Sequence, residues 1–209
     1  MYVQTYLRES YNWRKEVVVI LINLKAAFDS VPRQLVWKAL EYYNVGERLI
    51  SVIKSMHHKT TAAIKGTERT FGYCGGVKQG CSLAPTLFKI FMSFVMTAWK
   101  PAEHLEVKHL EYADDIALIV GRQVTQTVYD EITSHLERNG LSVNHTKTIL
   151  ISNQSEDALE TNKGTIPSQR EGRYLGFMLQ ANGGTETEID CSEEDGSQTQ
   201  TNENEQNLV

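Results

Sequence analysis

The sequence predicts a mixed α/β (α+β) fold, and three observations carry that expectation. Residues 17–22 form an unbroken apolar run, Val17-Val18-Val19-Ile20-Leu21-Ile22, with the length and β-branched character of a buried strand. Two more aliphatic runs, 107–111 and 116–120, flank Tyr112-Ala113-Asp114-Asp115 in the manner of a hairpin. Other segments carry apolar residues at helical spacing.

Taken in order, the first strand ends in Asn23-Leu24-Lys25-Ala26-Ala27-Phe28-Asp29. Ser30-Val31-Pro32 then opens a helix, with Ser30 or Asp29 near its cap and Pro32 in its first turn. Leu35, Val36, Ala39, Leu40 and Tyr43 are its apolar face. A second helix covers 47–57 through Leu49, Ile50, Val52, Ile53 and Met56. Residues 60–65 and 69–73 read as two strands around a Gly66 turn. Residues 75–80 are a glycine-rich loop and 85–99 a largely apolar helix. After the carboxylate hairpin, a helix over 124–139 ends at Gly140 as its C′ residue. Residues 148–152 and 174–179 are short strands. From Ala181 onward polar and acidic residues dominate, and 181–209 reads as an acidic disordered tail that buries too little to offset its ordering entropy.

Bulk properties narrow the function classes. A chain of 209 residues with 41% hydrophobic content suits a globular domain. No apolar run approaches the roughly 20 residues that span a bilayer, and the first ten residues hold no signal-peptide core. Cys74, Cys81 and Cys191 form no paired motif and read as reduced thiols of an intracellular protein, in cytoplasm or nucleus. The six histidines give no zinc pattern. The net charge of −5 hides an asymmetry. Eight acidic residues and no Lys or Arg follow Arg173, so residues 1–173 carry +3, compatible with a nucleic-acid partner.

Asp114 and Asp115 concentrate two negative charges at a turn. By themselves they read either as a solvated Asp-Asp turn or as a site where a hard cation such as Mg²⁺ offsets the repulsion.

The ordered set of motifs decides between these. Asn23-Leu24-Lys25-Ala26-Ala27-Phe28-Asp29-Ser30-Val31 resembles motif A of reverse transcriptases, most of all those of non-LTR, LINE-type retrotransposons. Gly76-Val77-Lys78-Gln79-Gly80-Cys81-Ser82-Leu83-Ala84-Pro85 resembles motif B, and Tyr112-Ala113-Asp114-Asp115 motif C. Residues 140–148 resemble motif D, and Tyr174-Leu175-Gly176 the primer-grip motif E. The resemblance implies a polymerase palm over 1–180, an antiparallel sheet with helices packed on one face, partial fingers and no thumb. It implies an RNA-directed DNA polymerase with RNA template, DNA primer and deoxynucleoside triphosphates as partners and no membrane. Two-metal chemistry would use Mg²⁺ or Mn²⁺ at Asp114 and Asp115. Phe28 would press on the incoming sugar. Gln79, Gly80 and Ser82 would meet template or nucleotide, and Lys147 would protonate the departing pyrophosphate.

Position 23 departs from the family, which has Asp there. An amide offers a neutral oxygen but no charge, and a barrier raised by about 4 kcal/mol slows a reaction roughly a thousandfold. Only 22 residues precede Asn23, and the acidic tail stands where the family continues into a thumb. The expectation is a truncated, catalytically impaired copy, with a non-catalytic nucleic-acid-binding or interaction module that retains the palm fold as the alternative.

Overall fold

β1 (Val17–Asn23) runs through the interior of a six-stranded sheet. The order is β4 (Val107–Tyr112), β5 (Asp115–Gly121), β1, β6 (Ile149–Ile151), β8 (Gly164–Gln169), β7 (Ala158–Thr161). The structure is a computed structural model and describes residues 2–12, 15–58, 61–63, 70–72, 75–78, 80–102 and 105–184.

Strand pairs are antiparallel except β6 with β8, which run parallel. The sheet is therefore mixed at one pair rather than wholly antiparallel. The β7–β8 hairpin inserted after β6 places that strand there, and its polar, Pro167-containing sequence carries no strand signal.

Alternation along β1 explains why its run is apolar on both sides. Val18, Ile20 and Ile22 join Ile116, Leu118 and Val120 of β5 in one core. Onto that face pack α3 (Arg33–Tyr42), α4 (Glu47–Met56), α5 (Ala84–Ala98) and α6 (Thr125–Arg138), through residues such as Leu40, Ile53, Phe88, Phe91 and Ile132. Val19 and Leu21 point the other way, with Ala117 and Ile119, into a second core. That face is covered by α1 (Tyr2–Asn12), through Val3 and Leu7, and by the hairpin β9 (Glu171–Tyr174) and β10 (Phe177–Gln180).

Several boundaries differ from the sequence expectation for identifiable reasons. A short helix, α2 (Ala27–Ser30), precedes α3, so Asp29 and Ser30 lie inside α2 and cap nothing in α3. Pro32 takes the N-cap position of α3, and the Ser30 hydroxyl donates to the Lys25 and Ala26 carbonyls. Residues 174–179 are not one continuous strand: they span the end of β9, a two-residue turn and most of β10. Leu175 and Gly176 both take positive φ, 52° and 81°, as the two central residues of a type I′ turn do. A 3-10 turn, Arg122–Val124, precedes α6.

The paired strands β2 (Thr61–Ala63) and β3 (Thr70–Gly72) match expectation, while their Gly66 turn lies outside the described residues. Ala181 is buried in the second core, and the Arg8 guanidinium donates to the Gly183 carbonyl at 3.4 Å. The described body thus extends to Gly184, and the remainder of the acidic tail, 185–209, lies outside it. Among the described residues no helix is long and apolar enough to cross a membrane.

Candidate functional site

The carboxylate hairpin is tighter than the four-residue motif suggests. Tyr112 pairs with Asp115, so the loop is only Ala113-Asp114. Ala113 holds a φ of 54°, an αL conformation that costs an L-residue with a Cβ about 1–2 kcal/mol. Ala26, at 43°, does the same three residues beyond Asn23, and Leu175 makes a third case. Of the four non-glycine residues with positive φ among the described residues, three therefore fall in the segments that resemble motifs A, C and E. Such clustering of backbone strain is a mark of functional sites.

Register places the charges. Asn23 is the cross-strand partner of Asp115, and paired residues project from the same face of a sheet. By alternation that is the face of Leu21 and Ala117, opposite the large helical layer. Asp115, rather than Asp114, thus looks across at Asn23, while Asp114 stands in the loop. Burial raises the Asp115 carboxyl above the usual carboxylate range, and the adjacent Asp114 charge adds to it. Tyr174 is buried beside them; burial and then the Asp115 charge push its phenol up. The Asn23 side chain makes no hydrogen bond among the described residues, so its amide oxygen is free to serve as a ligand.

The remaining motif residues reach this end of the sheet by backbone ties. Leu24 bridges Val143, Lys25 N–H donates to the Ser142 carbonyl at 2.8 Å, and Asn144 N–H donates to the Asn23 carbonyl at 2.7 Å. The turn that bears Lys147 is thereby fixed to the end of β1, with Lys147 itself exposed. Gly76 N–H donates to the Val31 carbonyl and Val77 N–H to the Phe28 carbonyl, both at 2.9 Å, joining the glycine loop to α2. Phe28 is half-buried and stacks on Phe88 of α5, with ring centres 4.4 Å apart. Its ring is therefore a core contact at the edge of the helical layer. Gly80 sits in an exposed turn with φ +80°, and open space surrounds the place a Cβ would take. Ser82 is exposed just before α5, and Gln79 lies outside the described residues.

Sequence reasoning missed two lysines. Lys25, two residues past Asn23, and Lys163, at the tip of the β7–β8 hairpin, are close enough to influence each other electrostatically. Their approach and the Lys163 charge lower the Lys25 amine. Lys25 was visible in the motif, but nothing in the local sequence announces Lys163.

The donor set can be tested against a metal. Two adjacent carboxylates whose charges repel, with an amide oxygen in register, suit one hard dication. Among the described residues no group of three or more His, Cys, Asp or Glu side chains is placed to hold a metal ion. The turn thus offers two carboxylates and one neutral amide oxygen to a cation, with no third carboxylate beside them among the described residues.

Comparison with known proteins bears on the whole chain. The family model described as "Reverse transcriptase (RNA-dependent DNA polymerase)" matches residues 3–179. The Pol polyprotein of the type-1 retrotransposable element R2 of Popillia japonica is 24% identical over 162 residues, which cover 72% of this chain and 23% of that protein. Its counterpart from the type-2 element R2DM of Drosophila melanogaster is 23% identical over 203 residues, covering 87% and 19%. The chain thus spans about a fifth to a quarter of the length of these curated relatives. Among solved structures, apo telomerase from Candida tropicalis superposes with a TM-score of 0.67 at 16% identity, over 89% of this chain and 35% of that one. Telomerase from Candida albicans with a fragment of telomeric RNA gives 0.61 at 15%, over 86% and 32%. At such identity the structural likeness concerns the fold, a polymerase palm.

Proposed function

This chain belongs to the reverse transcriptase (RNA-dependent DNA polymerase) family, and from that premise we propose that it is the palm of a non-LTR retrotransposon polymerase weakened at its metal site. The observation that carries the reading is the register pair of Asn23 with Asp115 beside the Asp114 turn. In this reading the hairpin supplies two carboxylates, and position 23 supplies an amide where the family has a third.

Asp114 and Asp115 would hold a divalent cation, Mg²⁺ or Mn²⁺, with the Asn23 oxygen as a weak third ligand. When bound, such a cation offsets charge on the attacking and leaving oxygens of nucleotidyl transfer. The chain's own residues supply the rest. Phe28, braced by Phe88, walls the place of the incoming sugar. The open backbone at Gly80 and the exposed Ser82 lie where template and nucleotide pass, and Gln79 belongs to the same loop. Lys147, on the turn tied to Asn23, would give a proton to the leaving pyrophosphate. The Tyr174-Leu175-Gly176 turn supports the primer end. The substrates in this reading are an RNA template, a DNA primer and deoxynucleoside triphosphates.

Primer extension on an RNA template, with Mg²⁺ and then Mn²⁺, tests this reading. Slow, template-directed products that disappear in Asp115→Ala are the expected result. Products that survive in Asp115→Ala would remove the hairpin from the chemistry.

A further inference from the structure

A hollow of about 560 Å³ lies between the start of α3 and the end of α4, outside the site described above. Arg33, Gln34, Trp37, Lys54, His57 and His58 line it, and no carboxylate does among the described residues. A cavity wall with two permanent cations, two imidazoles and an amide donor suits an anion.

The wall is also built. Arg33 donates from Nε to the Gly76 carbonyl at 2.9 Å and from Nη1 to the His57 carbonyl at 2.8 Å. Its guanidinium is held between the glycine loop and the end of α4 instead of swinging in solvent. His57 is buried and stands edge-on to Trp37, with ring centres 5.8 Å apart. Its Nδ1 faces the Ile53 carbonyl at 2.9 Å; a carbonyl only accepts, so that nitrogen carries the hydrogen. The other nitrogen, Nε2, is buried with no hydrogen-bond partner. Lys54 meets Glu41 only loosely, at 3.7 Å between exposed side chains, which leaves its ammonium donors available. His58 is exposed at the rim.

We propose that this hollow receives a backbone phosphate of single-stranded RNA, at a contact separate from the metal turn. The inference rests on the polymerase reading, because that reading supplies the strand. Gly76, whose carbonyl Arg33 holds, is four residues from Gly80 in the loop placed along the template, at most about 14 Å of chain. A template passing Gly80 reaches the α3–α4 hollow within a few nucleotides. Lys54 and His58 supply donors to the phosphate, and Arg33 keeps the two segments in position.

The test is fluorescence anisotropy of the full chain with a labelled single-stranded oligouridylate across a salt series. Lys54→Gln with His58→Gln is compared with Lys100→Gln, which removes the same formal charge beside a different hollow, between α5 and α6. All these side chains are exposed, and matched melting curves verify folding. The expected result is about tenfold weaker binding for the double variant, with the salt slope reduced by about 0.7, the value for one lost single-strand phosphate contact. Lys100→Gln should weaken binding less than about twofold. Equal losses in both variants would overturn the hollow as a site and leave the polymerase reading standing. No RNA binding by the native chain would overturn both.

Discussion

Asn23→Asp restores a carboxylate at the end of β1, and its cost in the absence of metal follows from the register. Antiparallel partners have Cα atoms about 4.5–5.5 Å apart, and Asn23 and Asp115 share a face, so the new charge stands roughly 5.5 Å from Asp115. At an effective dielectric of about 20, two charges at that distance repel by about 3 kcal/mol. Both positions are half-exposed, and solvent screening reduces this to about 1–2 kcal/mol. The native side chain has no hydrogen bond to lose, so electrostatics should dominate. For a chain of this size each kcal/mol moves Tm by about 2–4 °C. In EDTA, Asn23→Asp should therefore melt about 4 °C below the native chain. Magnesium should reverse the order, because a third carboxylate binds the cation more tightly; saturation at about ten times Kd alone adds about 1.4 kcal/mol. Thermal melts with EDTA and with Mg²⁺ read both effects. Identical melting of the two proteins under both conditions would refute the placement of Asn23 against Asp115.

Two other outcomes test the frame around the site. Gly140→Ala should cost about 3 kcal/mol or more by chemical denaturation: its φ is +82°, and a Cβ would stand 2.4 Å from Pro32 Cγ, forcing the motif-D turn off the start of α3. A loss under about 1 kcal/mol would show that this contact gives way easily. His145 is buried, and Tyr129 Oη stands 2.7 Å from its Nδ1. Burial first, then the Lys163 and Lys25 charges, hold its proton affinity below the usual histidine range. On acidification the unfolded chain takes up that proton before the folded one, so stability should fall as pH drops below about 6.5. His145→Gln should flatten that part of the profile in denaturant titrations between pH 7.5 and 5; an unchanged slope would exclude His145 as its source.

What the sequence made legible were the features with strong local signals. The six-residue aliphatic run of β1, the periodic faces of α3 to α6 and the two aliphatic flanks of the hairpin all stand where expected. The details that set the site geometry were less accessible. Turn rules favour Asn-Gly or Gly-Gly where φ is positive, so nothing in Tyr112-Ala113-Asp114-Asp115 signals that Ala113 takes that conformation and shortens the loop to two residues. That shortening decides which aspartate faces Asn23. The β7–β8 hairpin was invisible because its strands are polar and interrupted by Pro167; their place comes from pairing with β6 and from the reciprocal bonds between the Gln126 side chain of α6 and the Glu160 backbone. With it went Lys163, whose approach to Lys25 is purely tertiary. α1 went unread for a related reason: its buried face mixes Val3 and Leu7 with the polar Gln4 and Ser10, on a second sheet face that the helical layer does not reveal.

The most direct test of the central claim is the rate of primer extension on an RNA template in Mg²⁺ for the native chain, Asn23→Asp, and Asn23→Asp combined with Asp115→Ala. An intact palm weakened by one missing charge predicts extension about a thousandfold faster in Asn23→Asp than in the native chain, lost again when Asp115 is removed. Equal rates in the native chain and Asn23→Asp, both folded, would contradict it.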